Sequence, residues 1–414
     1  MREMKGSGIE WVGAIPQDWQ LSKIGSLYTQ RNEKVSDKDY QPLSVTMQGI
    51  LPQLATAAKT DDGDNRKLVR VGDFAINSRS DRRGSCGISP LDGSVSLINI
   101  ILTPRTAMHP GYYNWLFHTT LFADEFYKWG HGIVADLWTT RWQEMKSITV
   151  PVPEYAEQER IAAFLDAECA EIDTVLEKTR ASIEEYKKLK QAIITQAVTK
   201  GIRGDRPMKD SGIEWIGDIP AEWSVVPFSK FARVSANLVN PSDYQDYLQV
   251  SPENIEKDSG KLLPCKTVSE VGVESWNHFF HKGHILYSKI RPKLNKVCIA
   301  PFDGLCSADM YPIDTDNISK FVVYTILSND FNQQVAMITE NRVKMPKINQ
   351  KELSKIIVVL PANRMEQQEI VDYLDGECGK IDALIAKKQQ YLTEIENYKK
   401  SLIYEYVTGK KEVV

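Results

Sequence analysis

Two long stretches of the chain place apolar residues with the spacing of an amphipathic helix. In residues 165–197 and 374–406, apolar positions follow one another at intervals of four and three residues over several turns, with charged residues between them. No proline interrupts either stretch. A helix of about 43 residues extends about 64 Å at 1.5 Å per residue, far beyond the average for globular proteins. The pattern predicts two long helices, each with an apolar seam.

An apolar seam of this length needs a partner that covers it. The partner is either the other long helix of the same chain or the matching helix of a second copy in a homodimer. Lys190 and Lys399 occupy equivalent seam positions. They either fix the register of the pair, as polar seam residues do at some cost in stability, or direct their ammonium groups outward to water. The residues expected to pair the helices are Leu165, Ile172, Leu176, Ile183, Ile193, Leu374, Ile381, Ile385, Leu392 and Leu402.

The two interiors that precede the helices read as mixed α/β segments with several short strands. Residues 71–77 and 282–287 are strand candidates that end in basic loops, and residues 110–117 open a helix. Residues 149–153 and 358–361 are matching strands that end in proline just before each long helix.

The chain repeats itself, which determines its organisation. Residues 4–19 return as residues 208–223 with eleven of sixteen positions identical, too many for chance. Glu157-Gln158 and the predicted helix after it return as Glu366-Gln367 and the second predicted helix. The two copies align without a gap as far as Val198-Thr199 and Val407-Thr408. Each half is therefore an opening motif, an interior and a helical tail.

The interiors resemble each other much less, although Asp92-Gly93 with Ser96 matches Asp303-Gly304 with Ser307. Similar frames around dissimilar interiors suggest one shared scaffold and two separate recognition tasks. Duplication followed by drift is the alternative, but drift alone is expected to erode the helix surfaces as well. We divide the chain into recognition domains at 1–153 and 205–360 and helical regions at 154–204 and 361–414.

The bulk composition is that of a folded protein whose net charge conceals local basic regions. Apolar residues make up 42% and charged residues 26% of the chain, and the net charge is −4. A basic face can be hidden by such a total. Six scattered cysteines without a Cys-x-x-Cys pair, no signal sequence and no long apolar run favour a cytoplasmic protein with reduced thiols.

Basic loops follow the strand candidates in both halves. Residues 288–302 and 341–347 carry several cations and no acid, and residues 79–84 and the region around 139–142 are their counterparts. Arginine and lysine anchor phosphates and read guanine edges, while asparagine and glutamine suit adenine; Asn77, Asn295, Asn341, Asn349 and Gln350 are nearby. For a single cation an ordinary surface position is the alternative. The candidate DNA-binding residues are Arg79, Arg82, Arg83, Arg141, Lys289, Arg291, Lys293, Lys296, Arg342, Lys344 and Lys347.

Catalytic and metal-binding signatures are absent from the sequence. We find no phosphate-binding glycine loop, no nucleophile elbow, no zinc-protease motif and no adenine-methylase motif. His278, His281 and His284 are three residues apart, but the segment between them supplies no carboxylate or thiol that completes a ligand set. We therefore expect no catalytic centre and no metal site in this chain.

The repeated opening Ser-Gly-Ile-Glu-Trp-x-Gly-x-Ile-Pro-x-x-Trp, the strand-proline exit and the Glu-Gln helix start resemble the specificity (S) subunits of type I restriction-modification systems. The resemblance covers essentially the whole chain, from Trp11 and Trp19 with Trp215 and Trp223 to both Glu-Gln pairs. It implies an α+β fold: two mixed α/β target-recognition domains separated by two long helices packed as an antiparallel coiled coil, with pseudo-twofold repeat.

The resemblance also implies a function and a set of partners. Each domain is expected to read one half of an asymmetric bipartite site in double-stranded DNA, with the helices fixing the unread spacer. Two methylase subunits are expected to dock and to bring S-adenosylmethionine, so that this chain holds no cofactor; motor and nuclease subunits join where the system cleaves DNA. The family motifs lie in the frame, so the base-contacting residues rest on charge alone.

Two alternatives remain at this point. One is a structural coiled-coil adaptor that holds protein partners without reading DNA. The other is a fused enzyme with an unfamiliar active site, which would require turnover by the isolated chain. Salt-sensitive, sequence-selective DNA binding by the assembled complex distinguishes the recognition subunit from the adaptor.

Overall fold

The computed structural model describes residues 2–54, 62–132, 138–340, 342 and 346–413. The chain forms two compact units: Met1–Arg180 with Gln390–Val414, and Ala181–Gln389. Each unit thus combines one interior with parts of both long helices. We call residues 2–154 the first head and residues 201–363 the second head. The four-part division by sequence stays a prediction.

The first unit contains many short strands and the first part of the first long helix. Its strands are β1 (Met4–Gly6), β2 (Ala14–Pro16), β3 (Gln20–Lys23), β4 (Tyr28–Arg31), β5 (Lys34–Val35), β6 (Leu43–Thr46), β7 (Gly49–Pro52), β8 (Arg66–Val69), β9 (Phe74–Asn77), β10 (Cys86–Ile88), β11 (Gly93–Val95), β12 (Asn99–Pro104) and β13 (Thr149–Val152). Its helices are α1 (Ile24–Leu27), α2 (Pro110–Phe117), α3 (Thr120–Lys128), α4 (Trp142–Met145) and the start of α5 (Tyr155–Lys200).

The second head repeats this order with different details. Its strands are β14 (Met208–Asp210), β15 (Asp218–Pro220), β16 (Ser224–Pro227), β17 (Arg233–Val234), β18 (Leu238–Val239), β19 (Leu248–Val250), β20 (Lys266–Thr267), β21 (Asn277–Phe280), β22 (Ile285–Ser288), β23 (Val297–Ile299), β24 (Gly304–Cys306), β25 (Met310–Asp314) and β26 (Ile357–Leu360). Its helices are α6 (Phe228–Phe231), α7 (Val268–Val271), α8 (Ser319–Leu327), α9 (Asn329–Thr339) and α10 (Gln350–Leu353), and the second long helix, α11 (Arg364–Val407), begins directly after it.

Two sheets form the centre of each head. In the first head the strand orders are β10-β9-β12-β4 and β11-β8-β5, and in the second they are β17-β25-β22-β23 and β18-β21-β24-β19-β20. The pairing of Asn99 with Asn77 in the first head corresponds to that of Met310 with Ser288 in the second. The strand candidates at 71–77 and 282–287 are therefore confirmed as β9 and β22, which begin three residues later than predicted.

The Asp-Gly pairs shared by the two interiors hold the same backbone junction. The Asp92 carboxylate accepts the Val71 amide at 2.8 Å, and the Asp303 carboxylate accepts the Lys282 amide at 2.7 Å. The glycines that follow leave no room for a side chain, because a Cβ would lie 2.6 Å from the Gln41 carbonyl oxygen at Gly93 and equally close to that of Leu248 at Gly304. The two Asp-Gly pairs therefore hold the backbone of the heads together.

The repeated Trp and Glu-Gln motifs attach each head to its long helix. Trp223 Nε1 donates to Glu366 Oε2 at 2.9 Å, and Trp19 Nε1 makes the same bond to Glu157. Arg206 forms an ion pair with Glu366 and lies over the Trp223 ring at 5.5 Å. In the first head, Arg2 pairs with Glu157 and lies over the Trp19 ring.

The glutamine of each motif completes the attachment through backbone groups. Gln158 Oε1 accepts the His109 amide at 2.9 Å, and Gln367 Oε1 accepts the Ile318 amide at 3.0 Å. His109 and Ile318 immediately precede α2 and α8. The glutamine therefore fixes α2 in the first head, or α8 in the second, to the start of the long helix.

The long helices pack antiparallel within each unit. In the first unit, the Phe164 and Tyr406 rings lie 4.4 Å apart and Lys399 Nζ lies 2.5 Å from Asp173 Oδ1, so the residue number rises along one helix as it falls along the other.

In the second unit Lys190 Nζ lies 2.7 Å from Asp382 Oδ1. Asp173 and Asp382 are equivalent positions of the repeat, as Lys190 and Lys399 are. The seam lysines therefore form reciprocal ion pairs, and the 11% exposure of the Lys190 side chain excludes an outward-pointing chain. The α+β fold is confirmed.

The residues predicted to pair the helices lie on the covered side of the helices. Leu165 and Leu402 belong to the apolar core of the first unit, and Leu374 belongs to that of the second. The predicted residues that are buried are Leu165, Leu176, Ile183, Leu374, Ile381 and Leu402. Those that are half-buried are Ile172, Ile193, Ile385 and Leu392.

Candidate nucleic-acid interface

Three separate segments meet at one end of the first head. The loop after β9 begins at Ser78, whose carbonyl accepts the Thr140 amide at 3.0 Å and whose hydroxyl donates to the Ile98 carbonyl at 2.5 Å. A β-bridge joins Arg79 to Thr139. The two basic segments that the sequence indicates, 79–84 and 139–142, are therefore neighbours.

The second head builds the same junction from unrelated residues. The Ile348 amide donates to the Lys289 carbonyl at 2.9 Å, and the Lys289 amide donates to the Asp309 carbonyl at 3.0 Å. A β-bridge joins Ile290 to Lys347. The loop after β22 and the segment before α10 thus meet as their counterparts do in the first head.

The loop after β22 has a tightly specified backbone. Arg291 and Asn295 both adopt the left-handed conformation with φ of 44°, which side-chain-bearing residues rarely adopt. The loop closes where the Ser288 amide donates to the Lys296 carbonyl at 3.0 Å. Such strain persists only where the surroundings enforce it and is frequent at binding sites.

The cations of this loop differ in what holds them. Arg291 and Lys293 are exposed. Lys296 Nζ donates to the Pro252 carbonyl at 2.6 Å, and Lys289 Nζ lies 5.3 Å from the centre of the Tyr311 ring. Lys289 and Lys296 therefore also pack within the head, whereas Arg291 and Lys293 project to solvent.

Several of the candidate cations are already neutralised by carboxylates. Arg83 pairs with Asp124, and Arg82 Nε lies 3.7 Å from Asp81. In the second head, Arg342 forms an ion pair with Glu352, and Lys347 Nζ lies 3.2 Å from Asp309 Oδ1. Lys344 lies outside the described residues.

The six remaining candidates form no ion pair with any residue that the structure describes, and four of them are also not held by the carbonyl and ring contacts given for Lys296 and Lys289. Arg79 and Arg141 belong to the first head, and Arg291 and Lys293 belong to the second. Arg141 precedes α4 and is exposed; Arg79 is half-buried. Each head therefore presents cations at the three-segment junction, and an anionic ligand is the chemistry that this arrangement fits.

The asparagines near the junction hold the backbone of the head. Asn77 Oδ1 accepts the Arg79 amide at 3.0 Å. Asn295 is buried, and Asn349 caps α10 by accepting the Glu352 amide at 2.9 Å. Asn341 lies outside the described residues, and Gln350 is exposed.

The three histidines of the second head differ in environment. His278 is buried, its Nδ1 has no hydrogen-bond partner among the described residues, and burial together with Lys289 lowers its pKa. His281 Nδ1 lies 3.5 Å from Asp303 Oδ2, a carboxylate that the local sequence reading did not include. Across the described residues no three metal-ligating side chains converge.

Sequence reasoning missed one element beside the junction of the first head. The hairpin of β6 and β7 lies against β10, which directly follows the basic loop. The available signal was the alternation of Leu43 and Val45 before a turn that contains Gly49. The second head has a different segment at the equivalent position, where Pro252 accepts the bond from Lys296.

Comparisons with known proteins identify relatives for most of the chain. Residues 229–397 match the model of the type I restriction modification DNA specificity domain. The specificity subunit of the type I restriction enzyme EcoDI from Escherichia coli is 34% identical over 286 residues, 64% of this chain and 63% of that protein. The putative MjaX specificity subunit from Methanocaldococcus jannaschii is 26% identical over 65% of this chain and 61% of its own length. The matched region thus spans less than two thirds of either relative.

A solved structure has the same fold over almost the whole chain. A chain from a study of assembly and conformational transition of the type I restriction-modification system superposes with a TM-score of 0.72, at 14% identity, over 96% of this chain and 99% of that one. Among the described residues, no helix is both long enough and apolar enough to cross a membrane.

Proposed function

We propose that the chain, which is similar to specificity subunits of type I restriction enzymes, belongs to their family and reads a bipartite site in double-stranded DNA with its two heads. The observation that carries the proposal is the junction built twice from unlike sequences. In both heads, three segments meet and present cations without acidic partners among the described residues, Arg79 and Arg141 in the first and Arg291 and Lys293 in the second. These cations are suited to contact phosphates, and the unlike neighbouring side chains are suited to read different bases.

The long helices serve assembly and spacing in this proposal. Helices of 46 and 44 residues extend about 69 and 66 Å. The helix sequence occurs twice in the repeat, so it offers two equivalent surfaces to two copies of one partner. We assign these to methylase subunits that bring S-adenosylmethionine, with motor and nuclease subunits as additional partners where DNA is cleaved.

The chain performs no catalysis itself in this proposal, and the partners supply it. Trp19, Trp223 and the two Glu-Gln pairs are among the residues common to both halves, and their side chains hold the heads to the helices. A cytoplasmic location belongs to the same proposal. The six cysteines are free thiols.

The test uses the chain assembled with its methylase. Methylated adenines are mapped in a host that carries both proteins, and the binding of the complex to the resulting motif is titrated at several salt concentrations. We expect a motif of two specific parts with an unread spacer and an affinity that falls steeply with salt. Binding without sequence preference supports the adaptor, and turnover by the isolated chain supports the fused enzyme.

Substitution of the second basic loop tests the interface itself. Replacing Lys289, Arg291, Lys293 and Lys296 by alanine should reduce the slope of log affinity against log salt by about 0.9 for each phosphate that the variant no longer neutralises. Lys282→Ala is the matched control, because this exposed lysine precedes β22 whereas the loop follows it. An unchanged slope in the quadruple variant removes this loop from the interface.

A further inference from the structure

The hairpin of β6 and β7 in the first head ends in an exposed turn with a defined geometry. Met47 and Gln48 form the turn, and Gly49 follows with φ of 100°, a conformation that favours glycine. The Thr46 hydroxyl donates to the Gly49 carbonyl at 2.9 Å and accepts the Gln48 amide at 3.1 Å. Gln48 is exposed and Met47 is 71% exposed. The turn is thus fixed while its two side chains face solvent.

The base of the hairpin is anchored in a small apolar core. Leu43 and Ile50 are buried against Val69, Val95 and neighbouring residues. These contacts attach both strands of the hairpin to the sheets of the head, so the position of the turn relative to the sheets is fixed.

The hairpin also lies directly against the end of the basic loop. A Cβ at Gly87 would lie 2.9 Å from Gly49 Cα, so the two backbones touch without side chains between them. The Met47 methyl carbon lies 4.0 Å from the position of a Cβ at Gly84, the residue that follows Arg83. The exposed turn and the cationic loop therefore form one continuous surface.

The chemistry of the turn differs from that of the loop. An amide side chain offers a donor and an acceptor together, which matches the N6 and N7 groups of adenine in the major groove. A methionine offers an apolar contact to a base or sugar and carries no charge that would favour phosphate. Arginines of the neighbouring loop are suited to contact DNA phosphates, whereas an exposed neutral amide is suited to discriminate between bases.

The second head has a different element at this position, although the strands around it match. Gly93 and Gly304 mark the same junction in the two heads. Gly93 packs against Gln41, just before β6, and Gly304 packs against Leu248, the start of β19. β6 continues into the hairpin in the first head, whereas β19 is followed by a short 3₁₀ helix, Pro252–Asn254, in the second. The segment that touches the basic loop is therefore built differently in the two heads.

We infer that the turn of the β6–β7 hairpin is the base-reading element of the first head, with Gln48 contacting a base edge and Met47 packing beside it. This inference rests on the proposed function. It assigns the discrimination between bases to an uncharged turn, which a search for basic loops does not find.

The experiment maps methylated adenines in hosts that carry the methylase with the wild-type chain, Gln48→Ala or Gln53→Ala. Gln53 is the matched control, because it lies beyond the opposite end of the same hairpin. We expect Gln48→Ala to relax the motif at one or two positions of one half-site only. Competition binding should show a fall in discrimination there of about 5- to 150-fold. The other half-site and the Gln53→Ala motif stay unchanged.

Met47→Ala provides the second measurement. It should weaken binding to the wild-type motif without changing the motif, and the melting temperature of each variant should equal that of the wild type because the turn is exposed. A Gln48→Ala motif identical to the wild-type motif overturns the inference, as does equal relaxation by Gln53→Ala. A wild-type complex without any sequence-specific motif refutes the proposed function and the inference with it, whereas a normal wild-type motif with an unaffected Gln48→Ala refutes the inference alone.

Discussion

The attachment of the second head to its long helix depends on one buried carboxylate, and its removal should be costly. The Glu366 side chain is 4% exposed, accepts the Trp223 indole and pairs with Arg206, whose side chain is 9% exposed. Removing one partner of a buried ion pair costs about 3–5 kcal/mol. We expect Glu366→Ala to lie near the lower end, because Arg206 retains Glu222 as a second partner. About 3 kcal/mol corresponds to a fall of about 6–12 °C in melting temperature.

Calorimetry of the purified chain measures this change, and the chain offers two controls. Glu222→Ala removes a half-exposed carboxylate from the same arginine, so the melting temperature should change little. Glu157→Ala breaks the equivalent attachment in the first unit, where Arg2 is more exposed at 21%, and should have a smaller effect than Glu366→Ala. A Glu366→Ala protein that melts together with Glu222→Ala refutes the argument that burial makes this pair important.

Two further predictions concern charge and pH. A double-mutant cycle on Lys190 and Asp382, with unfolding measured in denaturant, should give a favourable coupling of about 1 kcal/mol, because the pair is shielded within the helix seam; additive single substitutions would show that the pair does not fix the register. Burial lowers the pKa of His118, so below the ordinary histidine pKa of about 6.5 the unfolded chain takes up a proton more readily than the folded one. Stability should therefore fall as the pH drops below that value, and His118→Gln should reduce the slope; an unchanged slope contradicts the assignment.

The repeat and the long helices could be predicted from the sequence because their signals are periodic and local. Heptad spacing can be recognised from residues on neighbouring turns of one helix, and the opening motif recurs with most of its residues unchanged. The reciprocal pairing of Lys190 with Asp382 and Lys399 with Asp173 follows from the antiparallel packing of two equivalent sequences. The sequence alone left open whether the lysines pair across the seam or point outward to water.

The candidate site could be predicted only in part, because the sequence of a basic loop does not show which carboxylates lie beside its cations in the folded protein. Arg83 meets Asp124 and Lys347 meets Asp309 from segments far away in sequence. The hairpin that carries Gln48 has no charge at its turn, so a search for basic loops passes over it. Its position beside the loop depends on the contact of two glycines from different strands, Gly49 and Gly87.

The parallel pairing of β19 with β24 has a consequence for how such a head can change during evolution. Parallel neighbours cannot be joined by a tight turn, so a long excursion of the chain must separate them. Leu248 and Gly304 hold the two ends of that excursion in register, and its first part, residues 251–265 between β19 and β20, contributes no strand to either sheet. New loops can therefore be inserted, shortened or replaced there while the strands stay aligned. A fold with this built-in tolerance is well suited to acquiring new sequence preferences without rebuilding its core.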